Sequence, residues 1–89
     1  MITAEILAAV YDQASAQGPS EATLQSLRTG WPTLHFTLCS EDDVSARLAP
    51  AVEGRDFNLY LISNTQHCLA FTTLPEAATG LVLAIHSDP

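Results

Sequence analysis

Residues 33–39 read TLHFTLC, in which Leu34, Phe36 and Leu38 alternate with His35, Thr37 and Cys39. A period of two sends successive side chains to opposite faces of a pleated strand, so this stretch predicts a half-buried β-strand. The choice of strand over helix also decides some chemistry. On a helix, His35 and Cys39 would stand one turn apart and could share a metal ion. On a strand they are separated by roughly 13 Å, and ligand bonds of about 2.0–2.3 Å cannot bridge that gap.

Towards the C-terminus the same alternation recurs. FNLYLIS (57–63) sets Phe57, Leu59 and Leu61 against Asn58, Tyr60 and Ile62. Asn64-Thr65-Gln66 then predicts a hairpin turn into HCLAFT (67–72), where Leu69 and Phe71 share a side with His67 while Cys68, Ala70 and Thr72 take the other. PEAATG (75–80) offers one or two helical turns, with proline at the start and glycine at the exit. LVLAIH (81–86) closes the sheet with Leu81, Leu83 and Ile85 opposite Val82, Ala84 and His86. Between the first two strands, Ser40 with Asp43 has the spacing of a capping box, and Val44 and Leu48 are one turn apart. A short helix or ordered loop is expected there, ended by Pro50 and Gly54.

Towards the N-terminus the period becomes helical. Thr3 is placed to cap a helix with Glu5 in its first turn and Ile6, Leu7, Val10 and Ala14 on one stripe. Gly18-Pro19 ends it. Ser20 caps a second helix carrying Leu24 and Leu27, which Gly30 and Pro32 terminate. The expected architecture is therefore α+β: an N-terminal helical hairpin (3–30) packed on one face of a four-stranded, mostly antiparallel sheet (33–86), in a single domain over 1–89.

Composition narrows the function. Ten acidic residues face only Arg28, Arg47 and Arg55, a net charge of −7 with no lysine. Such a chain cannot supply the cations that a nucleic-acid backbone or an anionic membrane demands. No apolar run is long enough to span a bilayer. MITAEILAAVYDQ (1–13) has no basic residue before its apolar part, so it does not read as a secretory signal and a cytoplasmic location is expected. In a reducing cytosol, Cys39 and Cys68 are expected as thiols rather than a bridge.

The residues opposite the helical hairpin form a mixed surface: His35, Thr37, Tyr60, Ile62, Cys68, Ala70, Val82 and His86. Small and apolar groups mingled with imidazoles and a phenol suit an interface. The expected function is thus a non-enzymatic accessory protein that binds a protein partner, or itself as a homodimer, through this open sheet face, without a cofactor. The alternative is a metal- or redox-responsive protein whose ligands to a transition metal would be Cys39, His67 and Cys68, with Asp42 and Asp43 nearby. That alternative needs the 40–56 segment to cross over, because in a meander Cys39 and His67 fall at opposite ends, and sequential strands usually lie side by side. No residue is assigned as catalytic, because nothing marks an oxyanion pocket beside either thiol.

The segments HFTLCSEDD, FNLYLI, HCLAFTT and AATGLVLA together resemble a family of small proteobacterial proteins, a domain of unknown function linked to nitrogen-fixation gene sets. The shared pattern runs HFT-x-C…DD…HC-x-x-x-T…ATGLVLA and covers His35 to Ala84. The resemblance implies an accessory role in metallocluster or electron-transfer metabolism, and transfers no activity or catalytic residue to this chain.

Overall fold

The computed structural model describes residues 2–40, 44, 49–65 and 68–86, with the backbone alone at 64, 65, 68 and 69. Helix α1 spans Ala4–Gln17 and α2 spans Glu21–Gly30. The Thr3 hydroxyl accepts the Ile6 amide at 3.2 Å, and the Ser20 hydroxyl accepts the Thr23 amide at 3.3 Å. Each therefore satisfies one of the amides that a helix start leaves without a partner. Between the helices Gly18 takes φ +84°, a left-handed conformation that glycine reaches without a Cβ penalty. Its amide closes on the Ala14 carbonyl at 2.7 Å. The Thr23 hydroxyl donates back to the Gly18 carbonyl, so this fully buried polar side chain fixes the corner. The hairpin is as the caps and glycines predict.

Five strands follow: β1 (His35–Ser40), β2 (Val52–Glu53), β3 (Phe57–Thr65), β4 (Cys68–Thr72) and β5 (Gly80–Ile85). A single 3₁₀ turn over Pro75–Ala77 precedes β5. The sheet order is β1-β5-β3, with β2 and β4 sharing the far edge of β3. β5 runs parallel to β1, and every pairing of β3 is antiparallel.

The α+β class stands, but the sheet has five strands rather than four and its order is neither of the two arrangements expected. The last strand is inserted between the first strand and β3. Its composition explains this: Leu81, Val82, Leu83 and Ala84 are all at most 3% exposed, so both faces of β5 are covered, as a central strand requires. Strand β2 holds only two residues, with Pro50 and Gly54 close on either side, too short to leave a periodic signal.

The face beneath the helices is the larger core. Phe36, Phe57, Leu59, Leu61, Leu81 and Leu83 pack with Val10, Ala14, Leu24 and Leu27. Ile2 and Ala78 join it, helped by the bond from the Ile2 amide to the Pro75 carbonyl at 3.1 Å. Burying aliphatic and aromatic side chains contributes about 1.5–3 kcal/mol each, which makes this layer the main source of stability.

Gly80 is required where it stands. A Cβ there would lie 2.4 Å from the His35 carbonyl oxygen and 2.8 Å from the His35 Cβ. Gly80 pairs with His35 on one side and Ile62 on the other, so it lets three strands close at the start of β5.

Candidate functional site

The opposite face is a second, smaller core rather than an open surface. Tyr60 is 2% exposed, Ile62 and Val82 are 3%, and Ala84 is fully buried. They cluster with Val44 and the half-buried Cys39. Val44 belongs to the connection between β1 and β2, and its side chain packs on this face of the sheet. The expectation that Tyr60, Ile62 and Val82 form an accessible interface is therefore corrected: within one chain they are already covered.

The face assignment within β4 is also reversed. Phe71 pairs with Ile62, Ala70 with Ser63 and Thr72 with Leu61. Residues directly opposite share a face, so Phe71 belongs with Tyr60 and Ile62, while Ala70 lies on the other side. Cys68, in register with Thr65, has the same parity as Ala70. The cause is the turn. A three-residue turn at 64–66 would pair Ser63 with His67. The ladder instead runs to Thr65↔Cys68, leaving two residues between. Ser63 thereby faces Ala70 instead of His67, and a register shift by an odd number of residues flips every side chain of the returning strand. Phe71 meets the Tyr60 ring edge-on, with centroids 5.8 Å apart and planes at 77°.

Cys39 and Cys68 are far apart. Cys39 is in register with Ala84, Ala84 with Asn58, and Cys68 with Thr65. Seven residues of β3 alone give a separation of roughly 23 Å, before the lateral spacing of three strands is added. One chain cannot place both thiols on a single metal ion, nor join them in a disulfide. The other candidate ligands, Asp42, Asp43 and His67, lie outside the described residues. Among the described residues there is no group of three or more histidine, cysteine, aspartate or glutamate side chains that could hold an ion.

Of the remaining interface candidates, His35 and Thr37 are exposed on β1. His86 is half-buried and has a structural task. Its Nε2 lies 3.1 Å from the Gly54 carbonyl oxygen, which can only accept, so Nε2 carries the proton. The His86 amide donates to the Asp56 carbonyl at 3.0 Å. The Asn58 Oδ1 accepts the Gly54 amide at 3.1 Å, and the Tyr11 ring lies against the same glycine and 5.4 Å from the Phe57 ring. Three side chains thus fasten the turn that joins β2 to β3.

What the molecule does expose is an apolar strip that the sequence reading did not single out. Phe71 is 39% and Leu74 55% exposed. Thr72 and Thr73, between them in the chain, line a cleft of about 190 Å³ with Ala49, Pro50, Ala51 and Leu61. The cleft lies along the outer edge of β3, where β2 begins and β4 ends. The parity of the hairpin turn held the only sequence signal for Phe71; Leu74 had none.

A helical hairpin on a mixed sheet, with a surface strip of apolar groups and no assembled set of reactive side chains among the described residues, defines a small α+β domain of unassigned activity. Residues 5–86 match the model of a family of unknown function, DUF6129, and the chain belongs to that family. Neither a curated protein nor a solved structure matches it.

Proposed function

We propose that this chain is a non-enzymatic interaction module that binds an apolar segment of a partner protein along Phe71–Leu74 and the adjoining cleft. The observation that carries the reading is the pair of large apolar side chains left exposed, Phe71 and Leu74, which flank in the chain the Thr72 and Thr73 that line a concave surface with Ala49, Pro50, Ala51 and Leu61. Exposed apolar groups next to a depression favour a docked segment, because burying them on binding releases water from both surfaces. The net charge of −7 favours a partner segment with basic flanks. The nitrogen-fixation association implied by the family resemblance suits an accessory of this kind.

Selection of displayed ten-residue peptides against the purified protein tests the proposal. Enriched peptides should be apolar with basic flanks, and a Phe71→Ser, Leu74→Ser double variant with unchanged circular dichroism should bind them at least tenfold more weakly. Binding that survives in the folded double variant, or selection that yields no enriched class, overturns it.

A further inference from the structure

We infer that the partner segment is taken up as an added β-strand along the outer edge of β4, with one side chain against Phe71 and the next in the cleft beside Thr72. The inference rests on the docking reading above and adds the conformation and residue pattern of the segment. β4 pairs only with β3, so its other edge is a margin of the sheet. The bonds of β3 decide which residues of β4 turn their backbone outward. The Thr79 amide donates to the Ile62 carbonyl at 2.8 Å, so Ile62 faces β5. The Leu59 carbonyl accepts the Ala51 amide at 2.7 Å on the opposite side. By alternation Leu61 and Ser63 turn towards β4, and Ile62↔Phe71 is the pair that exchanges no bonds. The Phe71 N–H and C=O therefore point away from the sheet, and among the described residues nothing supplies them with a partner.

This margin lacks the usual guards. CLAFT holds no charged residue and no proline, two of the devices by which edge strands avoid new partners. The opposite margin differs: at β1 the Arg28 guanidinium already donates to the Phe36 carbonyl at 3.0 Å.

The two features to be covered stand on opposite faces of the sheet. Phe71 lies opposite Ile62, on the side of the smaller core, and Thr72 lies opposite Leu61, on the side of the helices. A helix docked on one face would reach one of them. An extended strand reaches both, because its consecutive side chains alternate between faces. The cleft of about 190 Å³ is smaller than the roughly 300–1,000 Å³ of small-molecule pockets, and it suits a single side chain. Main-chain bonds to Phe71 then supply affinity, and the cleft supplies the choice of side chain. The segment therefore carries two consecutive apolar residues. Exposed Glu76 follows Leu74 by two residues, and the chain as a whole carries −7, so the basic flank belongs at the end of the segment beside Thr73.

Peptides selected on the wild-type protein and resynthesised with single backbone N-methyl groups test this. Methylating an amide turned to β4 should weaken binding about tenfold, the loss of one hydrogen bond, whereas methylating its neighbours should change it less than about twofold. Exchange of the Phe71 amide should slow at least tenfold on peptide binding while that of Leu83 is unchanged. Thr73→Trp, at an exposed position lining the cleft, should weaken binding at least fivefold. Peptides that bind with no N-methyl pattern and an unaltered Phe71 amide overturn the added strand and leave the docking reading standing. The absence of any enriched peptide overturns both. Phe71 protection that rises with protein concentration in the absence of peptide assigns the edge to a second copy and likewise overturns the inference.

Discussion

Replacing Val44 by alanine asks whether its side chain helps cover the second face of the sheet. Val44 is 8% exposed and packs with Tyr60, Ile62, Val82 and Ala84. The substitution removes two methyl groups, each worth about 0.8 kcal/mol when buried. Partial collapse of the vacated space adds a cavity term, so a loss of about 1.5–2.5 kcal/mol is expected. A domain of this size has a total stability of roughly 5–13 kcal/mol, making the loss a substantial fraction. With a urea dependence of about 1 kcal/mol per molar, the unfolding midpoint should fall by roughly 1.5–2.5 M at an unchanged slope. Urea titration monitored by circular dichroism measures this directly. Were the sheet face open to water, Val44 would contribute almost nothing, and a midpoint shift below about 0.3 M would refute the two-core description.

Further outcomes follow from other contacts. Gly80→Ala inserts a methyl group into the 2.4 Å approach to the His35 carbonyl and should cost about 1–3 kcal/mol, lowering the thermal midpoint by several degrees in calorimetry. His86→Ala deletes the bond to the Gly54 carbonyl and should cost about 1 kcal/mol in chemical unfolding, with faster amide exchange at Gly54 and Asn58. Ser20→Ala removes the cap of α2, with a loss of about 1 kcal/mol in the same assay.

The helical hairpin was fully legible because its signals are local. Thr3, Gly18 and Ser20 act on neighbours a few residues away, and the stripe of Val10, Ala14, Leu24 and Leu27 needs only the helical period. The inner sheet face was legible for the same reason: Phe36, Leu59, Leu61, Leu81 and Leu83 are sorted by alternation alone. What could not be read depends on distant partners. LVLAIH is apolar on both faces, as a central strand requires, yet nothing in it names β1 and β3 as the two strands it will enter between. Val44 is a lone valine among polar residues, and its role appears only once it packs with Tyr60. The faces of Phe71 and Ala70 hung on whether a turn holds two residues or three. Together, these non-local facts turned an expected open interface into a second core and moved the exposed apolar groups to the opposite end of β4.

The central place of β5 has a consequence for biosynthesis. As the chain leaves the ribosome, β1, β2, β3 and β4 all emerge while the slot that joins the two halves of the sheet is still empty. The hairpin of β3 and β4 can form early, whereas β1 must wait on α2 until Gly80–Ile85 arrives. Loss of this short segment would therefore cut the sheet in two rather than trim its margin, and nascent chains stalled before residue 80 should need a chaperone's protection.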